Sequence, residues 1–428
     1  MSDPEGKAGY LDFDLSIWAE AGHYFAKVIN SPSGPSERVS LRTPFPNTTP
    51  TELVLLLENA VLRSQGLHRG LMSKEEGILR EFGDEMFRIV FREPHQIAMQ
   101  FATSLNMVEL QKHKGVDGLR VKLRVEPPEL AQLPWEYVYD ELTKNYLCLR
   151  HRSPLVRFLE VAEPTAPLAV NGPLNILGMI ANPGGEWALL DVDKERQRID
   201  AAIAPLQERK EANFRWVQGH TSTNLLDMMQ QESWHVFHFI GHGGIYRSNT
   251  PSGSDGADDE SNGFVVLGDG QGGAQEISAN DLSLMLQGDG SLQLAVLNCC
   301  ESGRGSGVKA YSSPGAALVR SGIPAVVAMQ FPISDQAAIQ FASRFYSSLA
   351  SGYSVEKAVT AARVDMRLNS DLEWGIPVLF TRTVTGRLVP GARDRRMDSP
   401  SIEEATMTHE NFVSKRQLAQ QELRRLFG

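Results

Sequence analysis

Two short stretches hold the residues best suited to chemistry: His238-Phe-Ile-Gly-His242-Gly-Gly and Val296-Leu-Asn-Cys-Cys300-Glu-Ser-Gly. A cysteine becomes a nucleophile when its thiolate is stabilised and a base stands within reach. Imidazole can be that base near neutral pH. Both stretches close apolar runs that read as buried strands. Open α/β sheets carry their sites at the carboxyl ends of such strands. Two neighbouring strand tips can therefore join a thiol and an imidazole whatever their separation in sequence. The pair expected to do chemistry is Cys300 as nucleophile and His242 as base.

The residues around the pair have plainer roles to weigh. Alternation puts His238 and Ile240 on one face of a strand over 234–240 and Phe237 and Phe239 on the other. His238 therefore reads as a buried, hydrogen-bonded histidine. His242 follows in a glycine-rich loop with freedom to face solvent, and Gly243 and Gly244 leave backbone N–H groups open to a ligand. Taken alone, His242 could equally be an ordinary loop histidine. Cys299 reads as packing, because cysteine is a small hydrophobe when buried. Cys300 then falls on the open side, and Ser302, Gly303 and Gly305 leave its approach uncrowded. Glu301 is a substrate contact, a structural acceptor or a solvated acid.

The elements that must position these residues fall into three stretches. Residues 1–117 open with alternating Phe13, Leu15 and Ile17, which predict a small antiparallel sheet, and continue into helices. Ser73 with Glu76 predicts a capping box. Residues 118–384 begin with a strand over Gly118 to Val125. From about 173 they alternate strands and helices, which predicts a mostly parallel sheet sandwiched by helices. Within this part Ser248 to Asn262 is an acidic, glycine-rich loop, and Arg304 to Ser313 is a second polar linker. Exposed polar loops of this kind invite cleavage, with Arg304 and Lys309 as basic candidates. Residues 385–428 form a linker and a tail helix carrying Ala419, Leu423, Leu426 and Phe427 at helical spacing.

Composition narrows the classes. The 428 residues are 42% hydrophobic and 22% charged, the balance of a globular protein with room for a large core. A net charge of −10 argues against general nucleic-acid binding, which wants a basic stripe. Cys148, Cys299 and Cys300 offer neither a disulfide framework nor a paired CxxC zinc motif, which points to a reducing, cytoplasmic setting without metal or cofactor. No apolar run approaches the length of a membrane span. Nucleotide binding by Gly241 to Gly244 lacks a GxGxxG or GxxxxGK[ST] pattern.

The His-Gly and Cys-Glu-Ser-Gly blocks together resemble those of the CHAT family of caspase-like cysteine peptidases, relatives of caspases and separase. Family members typically run from a hydrophobic strand into a GHG-like turn, then into a second strand ending in Ser-Ala-Cys-Glu-Thr/Ser-Gly. In Asn298-Cys299-Cys300-Glu301-Ser302-Gly303, Cys299 takes the small-residue position, Cys300 the nucleophile position, and Asn298 replaces serine. The family's downstream pattern is similar to Gly322-Ile-Pro-Ala-Val-Val-Ala-Met, Pro332-Ile-Ser-Asp335 and Phe345-Tyr-Ser-Ser-Leu-Ala-Ser-Gly. Phe331 stands where tryptophan is common, Trp374-Gly-Ile-Pro-Val-Leu-Phe looks like the closing strand, and Leu133-Pro-Trp-Glu136 and Arg152 to Arg157 look like the preceding segment. The resemblance covers roughly residues 118 to 384.

It implies a caspase-like fold and cleavage of protein substrates by acyl transfer at a Cys300–His242 dyad. It implies an oxyanion hole from the backbone N–H groups of Gly243 and Cys300. Asp335 falls where related peptidases can place an acid near the P1 pocket, which would favour a basic P1 side chain. The competing role is a helix N-cap, which Ser334 and Asp335 both suit. Gln330 and Glu301 are further pocket candidates. The family also implies an activating protein or signal in a prokaryotic defence or cell-death system, with residues 1–117 and the tail as regulatory or docking parts, and possible homo-oligomers. The alternative is a catalytically silent caspase-fold scaffold or oligomerising signalling module.

Overall fold

The computed structural model describes residues 9–64, 73–160, 170, 172–184, 187, 190–245, 263–288, 290–300, 314–369 and 372–383. They all fall within one unit, Met1–Val389. Glu301, the loops at 248–262 and 304–313, and the tail helix lie outside the described residues.

The first described elements are β1 (Tyr10–Glu20), β2 (His23–Asn30) and β3 (Val39–Leu41), each antiparallel to the next. Gly22 at φ +79° makes the first turn. Helix α1 (Pro50–Arg63) begins with a full capping box between Thr49 and Glu52, a signal that sequence reading passed over. Helix α2 (Lys74–Phe87) is capped by Ser73, but only half of the expected box forms. The Glu76 carboxylate turns instead to Arg80 and Arg367. A π-helical turn, Arg88–Arg92, leads to α3 (His95–Leu110). Then come β4 (Gly118–Val125), the short α4 (Pro128–Ala131), the hairpin of β5 (Tyr139–Asp140) and β6 (Asn145–Tyr146), and β7 (Leu155–Phe158).

The second half alternates as predicted. It contains β8 (Leu174–Ile180), α5 (Val192–Glu208), β9 (Ala212–Trp216), α6 (Ser222–Gln231) and β10 (Val236–Ile245). An antiparallel pair follows, β11 (Gly263–Gly268) and β12 (Ala274–Ser278), then α7 (Ala279–Gln287) and β13 (Leu294–Cys300). The last elements are α8 (Pro314–Arg320), β14 (Ala325–Met329), α9 (Asp335–Ala350), α10 (Val355–Asn369) and β15 (Pro377–Thr381).

One 13-stranded sheet joins both halves, in the order β12-β11-β10-β13-β14-β15-β7-β4-β1-β2-β3, with β8 and β9 branching from β10. Strands β1 to β3 extend this sheet through the parallel β1–β4 pair rather than forming a sheet of their own. The segment before the core is therefore built into it. Arg157 of β7 makes a two-point ion pair with Glu136, at 2.7 and 3.1 Å, and both are buried. Gln330, just after β14, donates to Glu136 Oε2 at 3.1 Å and to the Gly375 carbonyl at 2.6 Å. Buried charges persist where their hydrogen bonds are filled, and this set ties three distant segments together.

Two cores cover the two faces. One packs α1, α2, α3, α5, α9 and α10 against residues such as Val236, Ile240, Leu294 and Val296. The other packs α6, α7 and α8 against Phe237, Phe239, Ala295 and Leu297. Alternation along β10 and β13 thus matches a doubly covered sheet. Among the described residues no helix is long and apolar enough to cross a membrane.

Candidate active site

Strand β10 changes partner along its length. Its first half, Val236–Ile240, runs parallel to β8 as far as Ile180. On that same side the next stretch, His242–Ile245, lies antiparallel to β11. On the other side β10 runs parallel to β13 from Val236 as far as the His242–Cys300 pair. His242 is therefore the first residue after the sheet swaps a parallel neighbour for an antiparallel one. There its Cα partner across β13 is Cys300. The register brings the two predicted residues level at one end of the sheet.

Two expectations about this place are corrected. The strand does not end at Ile240, and His242 is not in a loop facing solvent. It lies within β10 and is 1% exposed. The glycines explain both outcomes. A Cβ at Gly244 would stand 2.9 Å from the Phe264 ring. One at Gly243 would stand 2.8 Å from the Phe264 carbonyl and 3.1 Å from Cys299 Sγ. These glycines allow β11 and Cys299 to approach an extended strand, rather than opening a turn.

The backbone groups of Gly243 have a direction. Ile240 turns its carbonyl to β8, where Ala181 N donates to it at 2.8 Å, whereas His235, just before the strand, bonds both ways, its N–H to the Asn175 carbonyl and its own carbonyl to Leu294 N. Successive residues of a strand alternate in this respect. Even residues of β10 thus serve β8 and then β11, and odd residues, Gly243 among them, face the side of β13. Gly244, expected to offer a free N–H, belongs to the β11 ladder.

The imidazole of His242 is packed by residues that its own motif does not signal. Trp187 stacks on it with ring centroids 5.3 Å apart and an interplanar angle of 27°. Phe264 meets the indole edge-on at 6.4 Å, and Trp187, Phe264 and Val266 form a small cluster of their own. The available signal for Trp187 was a large aromatic in a polar Pro/Gly turn directly after a buried strand. Cys299 is partly buried against the second core, as expected for a packing residue.

His238, four residues earlier on the same strand, meets α9. Its Nδ1 is 2.6 Å from the Tyr346 hydroxyl of α9, while its Nε2 is buried without a partner. Burial pushes its imidazole down to about 4 and pushes the Tyr346 hydroxyl up. This is the buried, hydrogen-bonded histidine that alternation predicts.

The pocket candidates are placed less directly. Asp335 is the first residue of α9, while the N-cap itself is Ser334, whose hydroxyl accepts from Ala337 N. The Asp335 carboxylate binds Arg198 at 2.5 Å and Lys194 at 3.1 Å, both on α5. The Arg198 hydrogen bond holds it below the usual carboxylate range. Gln330 is buried with its amide nitrogen engaged by Glu136 and Gly375. Both follow β14, the next strand after β13. Among the described residues, no group of three His, Cys, Asp or Glu side chains could hold a metal ion.

A mostly parallel sheet with helices on both faces is the architecture of the caspase-like fold. The CHAT domain family model matches residues 85–410, and the chain belongs to that family. No curated protein matches it. Among solved structures it is similar to chains from two crystal structures of the Saccharomyces cerevisiae separase–securin complex. One is 11% identical at a TM-score of 0.43, covering 87% of this chain and 30% of that one. The other is 12% identical at a TM-score of 0.34, covering 78% and 23%. The Arg-specific cysteine proteinase gingipain R is 10% identical at a TM-score of 0.34, covering 79% of this chain and 75% of that one. The chain thus spans less than a third of the separase chains it matches.

Proposed function

We propose that this chain is a cysteine endopeptidase in which Cys300 is the nucleophile and His242 its base. The observation that carries the reading is the register of β10 and β13, which makes the two residues Cα partners. Adjacent strands lie about 4.8 Å apart, and matched positions of parallel strands share a face of the sheet. That spacing suits proton transfer between a thiol and an imidazole.

In the reaction His242 takes the Cys300 proton, leaving a thiolate beside an imidazolium. The sulfur bonds to the scissile carbonyl carbon and its oxygen takes the negative charge. That charge collapses, the carbon–nitrogen bond breaks, and the imidazolium proton leaves with the amine. Water, deprotonated by His242, then attacks the thioester, releasing the acid and restoring the thiol. The backbone N–H groups of Gly243 and Cys300 are the proposed donors to the oxyanion. In support, alternation aims the Gly243 group towards β13 rather than into the β11 ladder. Loss of one such donor typically costs on the order of 10²–10³ in rate.

The neutralising contacts of Asp335 with Lys194 and Arg198 suit a strut between α9 and α5 better than a selector of basic P1 side chains. Regulation by a partner or signal fits a base that is 1% exposed beneath Trp187. A setting in prokaryotic defence or cell death is carried by family resemblance alone.

The test compares a proteome treated with wild type and with Cys300→Ala, sequencing the new N-termini. Termini that appear only with wild type are expected. Identical sets from the two proteins would sink the reading and favour a catalytically silent scaffold.

A further inference from the structure

We propose that Trp187 is a positioning residue for His242: its indole face fixes the plane of the imidazole and favours the protonated ring, and so holds the Cys300 thiolate beside it. The inference deepens the dyad reading above and rests on it.

Four observations converge. The sheet changes neighbours at His242, because β8 pairs only as far as Ile180 and β11 takes over from His242 with Val266. Trp187 lies over His242 at this change of neighbours, the two rings stacking at 5.3 Å and 27°. The loop that carries Trp187 is tied at its neck. Asn182 Nδ2 donates to the Leu190 carbonyl at 3.1 Å, and Leu190 N donates to Asn182 Oδ1 at 2.9 Å. Finally, Trp187 belongs to neither large core but to a cluster with Phe264 and Val266. It has a histidine as its stacking partner.

The face of an indole carries negative charge density, so it attracts a cation lying over it and discriminates imidazolium from imidazole. By register, the titratable positions on this face among the described residues are Cys300 on β13 and Glu276, which is the partner of Val266 on β12. The third is His238, four residues earlier on β10 and buried against Tyr346. Glu276 lies a full strand beyond Val266. The ring in contact with His242 is thus set to bias its protonation.

Alkylation of Cys300 by iodoacetamide, located by peptide mass spectrometry in the full-length protein, reads the thiolate without needing a substrate. Trp187→Leu is expected to slow labelling at pH 6 by about twofold to thirtyfold, the range of a cation–π contact. At pH 9.5 the thiol ionises without help, and the rates should converge. Trp187→Phe should fall between, since a smaller ring still stacks. An unchanged rate at pH 6, or equal slowing at both pH values, would overturn the proposal. Protection of Cys148, buried in the wild type, verifies that each variant is folded. His242→Gln separates the two claims. If it leaves the pH 6 rate intact, the dyad itself is wrong. If it slows labelling while Trp187→Leu does not, only the role of Trp187 falls.

Discussion

His238 and His242 stand on one strand, four residues apart and on the same face, yet they meet different surroundings. At His238 both neighbours of β10 are present, with Gly178 of β8 on one side and Val296 of β13 on the other. Helix α9 closes over it through Tyr346. At His242 the parallel neighbour has gone, β13 is at its last residue, and the cover is Trp187 rather than a helix. Both histidines are buried, so exposure does not separate them. What separates them is whether a strand end lies alongside. A strand end offers a chain about to turn away and a place for a second reactive group. A continuous ladder offers neither.

The largest expected effect breaks that contrast at the chemistry. His242→Ala should lower cleavage by at least about 10²–10⁴-fold, the usual contribution of general acid–base catalysis. His238→Gln keeps a polar side chain against Tyr346 and should leave kcat/KM within about threefold. Paired kinetics on any substrate found by terminus sequencing checks both. A His238 variant as dead as the His242 variant would mean that His238 also takes part.

A smaller effect concerns stability. The His238 imidazole is held at about 4 when folded, against an ordinary value of 6.5. The folded form therefore resists protonation while the unfolded chain accepts it. Stability from this group is complete above pH 6.5 and falls as pH drops from 6.5 towards 4. By pH 5 the loss is about 2 kcal/mol, since each pH step of one within that window is worth about 1.4 kcal/mol. Urea unfolding of wild type and His238→Gln at pH 7 and pH 5 measures it. The wild type should lose more stability than the variant. Equal losses would mean that His238 is not buried neutral.

Much of this was legible in the sequence. The apolar runs before His242 and Cys300 marked two strands that the fold sets side by side, because buried parallel strands need such runs on both faces. Alternation distinguished His238 from its neighbours for the same reason. The course of the chain after Ile240 was not legible. Gly241, Gly243 and Gly244 look like a turn in one dimension, and only the later packing of Phe264 and Cys299 explains why side chains are missing there. The β12 strand was missed because Ala274-Gln-Glu-Ile-Ser has one buried residue and depends on β11 for its pairing. Trp187 was missed because a loop residue has no period by which its target can be read. The Glu136, Arg157 and Gln330 set was beyond reach for another reason, since tertiary contacts across such separations leave no local pattern.

The contrast extends from imidazoles to thiols, where the stability change expected is the smallest. Cys148 is fully enclosed, its Sγ donates to the Glu136 carbonyl at 2.8 Å, and burial pushes its thiol up to about 12. An ordinary cysteine titrates near 8.5, so at pH 7.5 the thiolate at Cys148 is rarer by roughly 10³-fold or more. The thiolate is the reacting species. Cys148 should therefore label only as fast as the protein unfolds, while Cys300 labels in the native state. Cys148→Ser keeps a donor of similar size and should change stability by less than about 1.5 kcal/mol, the net worth of a typical hydrogen bond. If native Cys148 labels as fast as Cys300, the strand end confers no reactivity that the core lacks. The distinction between a residue at a strand end and one enclosed by the fold would then fail for sulfur, whatever the histidine variants show for nitrogen.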